Sequence, residues 1–131
     1  MVLSKQIYSF GKKQGYIRNA TSTFYDGYCY DSKKEAGYAQ MLDIRIKAND
    51  IKEWSRQYPI KVSINGKWIF TYKIDFKIIH NDDSIELIEV KGFSTDYFRF
   101  KWKIVDAIYS GFNDCNISVE NFEQAELTIV K

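Results

Sequence analysis

Apolar positions recur along the 131 residues with helical and alternating spacings, and each spacing predicts an element. Within Asp31–Asp50 the stripe Ala39, Leu42, Ile46 repeats at helical spacing, after Ser32, a good N-cap, with Glu35 at the capping-box position and Asn49-Asp50 closing the run. One turn back from Ala39 lies Glu35, so this carboxylate begins the core-facing stripe. Tyr58–Ile64 predicts a strand, and Asn65-Gly66 is the strongest short hairpin signal available. Residues 67–80 continue as a long strand, with Trp68, Phe70, Tyr72, Ile74, Phe76 and Ile78 on one face and Lys73, Asp75 and Lys77 on the other. Residues 81–84, Asn-Asp-Asp-Ser, turn the chain into Ile85–Phe93, whose Ile85, Leu87, Ile88 and Val90 put apolar side chains on both faces, as in a strand covered on both sides. Ser94 or Thr95 caps a second helix over about 96–110, buried along Phe98, Trp102, Val105 and Tyr109, exposed along Arg99, Lys103 and Asp106, and ended by Gly111. Asn116–Glu120 is expected to be a final core strand, and Ala125–Lys131 a further strand or a short helix.

This order, a helix, three antiparallel strands, a helix and a strand, predicts an α/β domain over residues 31–131 with a mixed sheet flanked by helices. Residues 1–30 are rich in Tyr, Phe, Gly and Lys without clear periodicity, and read as an extended arm holding one short strand. The formal charge of +2 says little, but its distribution says more. Lys5, Lys12, Lys13 and Arg18 precede any acid, and Lys91, Arg99, Lys101 and Lys103 meet only Asp96, while Asp114, Glu120, Glu123 and Glu126 fall in the tail. Two basic segments interleaved with aromatics suit a phosphate backbone, and a solvated surface explains them about as easily. Tyr8, Tyr16 and Tyr25 are candidates for stacking on bases, with core packing the default for such rings. No apolar run approaches a membrane span, no signal peptide is recognisable, and Cys29 and Cys115 form no metal or disulfide pattern. The expectation is a cytoplasmic protein with reduced thiols. His80, beside a turn, reads as a surface residue rather than a ligand.

Glu89 and Lys91 raise the chemical question, because two charges on one face of a largely apolar strand are costly when unpaired. A turn centred on Asp82 sets Ile79 against Ile85, Lys77 against Leu87 and Asp75 against Glu89. Two carboxylates then lie ~5 Å apart on one face of the sheet and repel. A divalent cation removes the conflict: Mg²⁺ prefers carboxylate oxygens and water, and Lys91 follows along the same face. Taken singly, Asp75 and Glu89 fit ordinary ion pairs with Lys73, Lys77 or Lys91, and Glu35 fits a plain capping role.

Asp75, followed by Glu89-Val90-Lys91, resembles the active-site motif of the PD-(D/E)xK nuclease superfamily, with the Asp on the second strand of a hairpin, the ExK on the third and a Glu-bearing helix before both. The stretches YDSKKEAGYA, RQYPI, YKIDF and EVKGF together look like the small phage-encoded nucleases of that superfamily, related in plan to Holliday-junction resolvases. The resemblance covers roughly residues 25–110, and Ile74 stands where the motif has its proline. It implies a restriction-endonuclease-like core and a Mg²⁺-dependent endodeoxyribonuclease, with Mn²⁺ as a substitute, acting on branched or structured DNA in phage recombination or replication inside an infected bacterium. It further implies that Asp75, Glu89 and the Val90 carbonyl bind the metal, that Glu35 reaches it directly or through water, and that Lys91 orients the attacking water or stabilises charge on the phosphorane. Gln57, which corresponds to a Gln often found before the first core strand, joins Lys12, Lys13, Arg18, Arg99, Lys101 and Lys103 as expected DNA contacts. Paired cuts on a four-way junction require a two-fold homodimer, for which the aromatic arm is the expected contact. The alternative is a non-catalytic nucleic-acid-binding module on the same fold.

Overall fold

The computed structural model describes residues 7–12, 21–91, 95–111 and 117–131, and side chains within those ranges from Thr23 onward. They form an α/β structure that divides into two compact units, Met1–Ala48 and Asn49–Lys131. Cys115, Lys13, Arg18, Tyr16 and Ser94 lie outside the described residues.

In the first unit, β1 (Ile7–Lys12), β2 (Thr21–Tyr25) and β3 (Tyr28–Tyr30) form an antiparallel sheet in that order, followed by α1 (Lys33–Lys47). Three strands thus stand where an arm with one was expected. Asp26 and Gly27, at φ 51° and 84°, make the two-residue turn that sets Tyr25 against Tyr28. Left-handed backbone at both central residues is what such a turn requires, and Asp-Gly supplies it at little steric cost. Ser32 caps α1 as expected, its Oγ accepting from the Glu35 N–H at 3.1 Å. The helix buries Ala36, Ala39 and Leu42, while Ile46 is half-buried. Tyr25 is buried and donates its hydroxyl to Asp43 Oδ2 at 2.6 Å, so this ring belongs to a core rather than to a base-stacking surface.

The second unit contains β4 (Glu53–Ile64), β5 (Lys67–Ile79), β6 (Ile85–Val90), α2 (Asp96–Tyr109), β7 (Ile117–Val119) and β8 (Glu126–Val130). Its sheet has the order β7-β4-β5-β6-β8, and β8 runs parallel to β6 while the other pairs are antiparallel. The Asn65-Gly66 hairpin forms with both residues at positive φ. At the next turn Asp82 Oδ1 accepts from the Ser84 N–H at 3.0 Å and hydroxyl at 2.6 Å, fixing the register Ile79–Ile85 through Phe76–Ile88 that the turn centre predicts. The C-terminal strands correct the sequence expectation. Residues 117–119 form a short edge strand on β4 rather than a core strand, and the strand beside β6 is 126–130. The alternation of so few residues does not show which edge they will join.

Thr95 caps α2, its Oγ1 accepting from the Phe98 N–H at 3.0 Å, and Gly111 follows the helix at φ 89°. Phe98, Val105 and Tyr109 pack on Ile60, Val62, Tyr72, Ile74 and Leu87, each large apolar side chain contributing about 1.5–3 kcal/mol on full burial. Trp102 is half-buried against the same cluster.

The even-numbered residues of β5 do not share one face, contrary to the alternation read from sequence. Tyr72 and Ile74 join the α2 cluster with Leu87, the ladder partner of Lys77, whereas Phe76 packs edge-on against Trp54 of β4. Lys77 lies 4.6 Å from the ring centre of Tyr58, itself the ladder partner of Ile74. Tyr72, Ile74, Lys77 and Leu87 are therefore together, and the pleat changes phase between Ile74 and Phe76. The residue at the change is Asp75. Trp68 also departs, 61% exposed beyond a register shift at Val62–Ser63.

Candidate active site

Ile74, Asp75 and Phe76 are consecutive buried residues, which a regular strand facing one core would not give. The cause is a missing rung. On one side β4 pairs Arg56 with Phe76 and Tyr58 with Ile74, and between them Gln57 takes φ 54° instead of completing a rung with Asp75. A left-handed conformation costs a residue other than glycine ~1–2 kcal/mol. On the other side the regular ladder to β6 ends at Phe76–Ile88, one pair short of Asp75 and Glu89.

Side chains replace the lost backbone pairing. The Val90 N–H donates to Asp75 Oδ2 at 2.8 Å, and the Asp75 N–H donates to Glu89 Oε2 at 3.4 Å. The two carboxylates expected opposite each other are therefore adjacent, 9% and 5% exposed, each serving the other strand's backbone. Burial, and then the charge of Asp75, push the Glu89 carboxyl up to about 7; the Tyr72 hydroxyl and then Lys91, its Nζ 3.9 Å from Glu89 Oε1, work in the opposite direction. Lys91 also lies 4.3 Å from the ring centre of Phe98, which fixes its stem against α2.

Tyr72 completes this corner, and sequence reasoning missed it because an alternating strand makes it simply a core aromatic. Its hydroxyl is buried and set against the Glu89 carboxylate, the acceptor it faces. Burial, then the Glu89 charge, push its pKa above the usual tyrosine range. A buried hydroxyl facing two crowded carboxylates is a defect if the corner stays dry. It is an asset if the corner takes a hydrated cation and an anion. The donor set suits Mg²⁺, which commonly takes one or two carboxylates and completes its octahedron with water and substrate phosphate. Asp75 and Glu89 would hold it. The Val90 N–H is bound to Asp75, while Val90 itself lies beside Val130 in the ladder to β8. Among the described residues no group of three or more His, Cys, Asp and Glu side chains is gathered for a metal.

The other expected residues are placed as follows. Glu35 lies in the first turn of α1, half-buried, within the first unit. Gln57 is half-buried and forms the strained rung beside Asp75. Lys12 ends β1 opposite Thr21. On α2, Arg99 is ion-paired with Asp96, Lys103 is exposed, and Lys101 packs over aromatic rings. His80 meets Glu86 at 3.1 Å, an ordinary pairing away from the corner. Among the described residues no helix is long and apolar enough to cross a membrane.

Residues 16–120 match the model of a family described as a protein of unknown function, DUF1064, and the chain belongs to that family. The match spans α1, β4 to β6 and α2, and so contains Asp75, Glu89 and Lys91. No curated protein and no solved structure gives a significant match.

Proposed function

We propose that this protein is a Mg²⁺-dependent endodeoxyribonuclease of the PD-(D/E)xK type, acting on branched or otherwise structured DNA. One observation carries the reading: two buried carboxylates from neighbouring strands meet at a break in the sheet, with Lys91 directly beside them. Left without a counter-charge this corner destabilises the fold, so its presence points to a use. The chain order, α1, antiparallel β4–β5–β6, α2 and a strand parallel to β6, supports a restriction-endonuclease-like core.

In this reading Asp75 and Glu89 hold the cation, and Asp75 does so while anchored to the Val90 N–H, which fixes its orientation. The cation, when bound, polarises the phosphate and lowers the pKa of a coordinated water. The Lys91 ammonium, restrained by Glu89 and Phe98, is placed to orient the attacking water or to donate to a phosphate oxygen as its charge grows. Water oxygen bonds to phosphorus as the bond to the 3′ oxygen breaks, and a 5′-phosphate product results.

A non-catalytic DNA-binding module is the competing reading, and the absence of a third converging ligand among the described residues favours it. Cleavage of linear, nicked, flapped and four-way DNA with Mg²⁺, Mn²⁺ or EDTA decides between them. The nuclease reading expects metal-dependent nicks with 5′-phosphate ends, abolished in Glu89→Gln. Tight binding without cleavage of any substrate sinks it. Paired cuts on the four-way substrate are expected only from a homodimer, which light scattering of the same sample detects.

A further inference from the structure

A line of three side chains runs from buried Glu89 out to the surface of α2. Tyr72 is the inner end, its ring buried and its hydroxyl set against the Glu89 carboxylate. Lys101 is next, its Nζ 5.6 Å from the ring centre of Tyr72 and 4.2 Å from that of Tyr97. Tyr97 is the outer end, 68% exposed. None of the three is explained by packing alone. Phenylalanine would fill the place of Tyr72 without setting a buried hydroxyl against a carboxylate. Lys101 is held by two rings, with no carboxylate among the described residues at ion-pair distance, and so keeps its charge for an anion. Tyr97 buries little of itself, yet Lys101 steadies its ring.

We propose that Tyr72, Lys101 and Tyr97 form a nucleotide subsite beside the carboxylate pair, for a DNA strand whose base next to the scissile phosphate is unpaired. The subsite rests on the nuclease reading for the position of that phosphate. The Tyr72 hydroxyl donates to the scissile phosphate, Lys101 neutralises the neighbouring one, and the Tyr97 ring stacks on the base between them. A positively charged lane lined by an exposed ring is how single strands are held without regard to sequence. In a duplex both faces of a base are occupied by its neighbours, so only a base released from the stack can lie on Tyr97. The subsite thereby names the substrate class: flaps, junction cores and single strands ahead of continuous duplex.

The test measures binding of the full chain in Ca²⁺, which replaces Mg²⁺ so that the DNA stays intact. One oligonucleotide carries 2-aminopurine as an unpaired base at a flap junction, and the other carries it fully paired. Wild type and Tyr97→Phe are expected to bind the unpaired probe more tightly and to quench its fluorescence. Tyr97→Ala should lose the quench and about tenfold in affinity for the unpaired probe alone, as expected for one lost base stack. Lys101→Ala should weaken both probes and lower the salt dependence. The proposal is overturned if Tyr97→Ala weakens both probes equally or neither. A dimer-to-monomer shift on Tyr97→Ala in light scattering would assign the ring to a second copy of the chain and overturn it equally. Failure of the nuclease reading shows separately, because binding and quench are measured without cleavage, whereas metal-dependent cutting by Glu89→Gln would remove the catalytic reading alone.

Discussion

Asp75 takes the backbone N–H of Val90 on its Oδ2 at 2.8 Å, a tighter bond than the 3.4 Å one by which Glu89 takes the Asp75 N–H, and this difference makes the two site carboxylates unequal. Asp75 is at once a proposed metal ligand and a structural substitute for a ladder hydrogen bond, while Glu89 is the member pushed up by burial and by the charge of Asp75. Removing one is therefore not equivalent to removing the other.

Both Asp75→Ala and Glu89→Gln should abolish Mg²⁺-dependent cleavage, with opposite effects on the metal-free fold. Asp75→Ala strands the buried Val90 N–H and should cost ~1–3 kcal/mol. Glu89→Gln relieves the crowding of charge and should leave the metal-free protein equal to or more stable than wild type. Urea denaturation in EDTA reads both. Equal losses in the two variants would mean that Asp75 and Glu89 do not divide their roles as described.

The Glu89 carboxyl, at about 7 in the folded chain against a usual 4.5, predicts how stability varies with pH. Between those values the folded state binds more protons than the unfolded state, so stability falls as pH rises. The contribution is fully present below about pH 4.5 and lost as pH passes 7, on the order of 3 kcal/mol in total. Mg²⁺ requires the ionised carboxylate, so its stabilising effect should grow over the same window. Melting from pH 5 to 8, with EDTA or Mg²⁺ and with Glu89→Gln as reference, checks the sign. A metal-free wild type that gains stability over this window relative to Glu89→Gln contradicts the environment described for Glu89.

Lys91→Ala should lower turnover about 10²-fold or more while leaving Mg²⁺ affinity within a few fold, because an ammonium donates hydrogen bonds and does not ligate metal. Calorimetry and single-turnover cleavage separate the two effects. Lost metal binding with near-normal cleavage would assign Lys91 a different role.

Tyr72→Phe should leave the melting temperature of the metal-free protein within a few degrees of wild type, since the hydroxyl it deletes is buried and faces the Glu89 carboxylate. The same change should weaken cleavage. A loss of activity without a matching loss of stability is the mark of a group kept for function. A melting temperature that falls by more would show that the contact of the hydroxyl with Glu89 holds the fold.

DNA affinity should fall steeply with salt, and the basic residues of α2 should contribute unequally. Lys101→Glu and Lys103→Glu are each expected to flatten the slope by about one unit, and Arg99→Glu by less, because Asp96 already neutralises Arg99. Equal effects from all three would show that DNA displaces Asp96.

The elements were legible in the sequence wherever a local signal was sufficient. Ser32 at α1, Asn65-Gly66 and the turn at Asp82 act on their immediate neighbours, and the register they imply is by itself enough to bring Asp75 near Glu89. Asp26-Gly27 was an equally local hairpin signal within the aromatic first segment, and it marks the turn between β2 and β3. What the tertiary structure alone decided are the non-local matters. Which C-terminal segment pairs with β6 depends on an edge offered by residues far away in sequence, and three or five alternating residues do not encode it. The break at Asp75 is of the same kind. Alternation predicts an unbroken strand, but strained Gln57 on one side and a shortened ladder on the other turn Asp75 toward Val90 and bring Tyr72 to Glu89. The sequence by itself was enough to set Asp75 near Glu89 with Lys91 beside them. Only packing on both sides of β5 decided that one carboxylate is anchored, the other is crowded, and a tyrosine joins them.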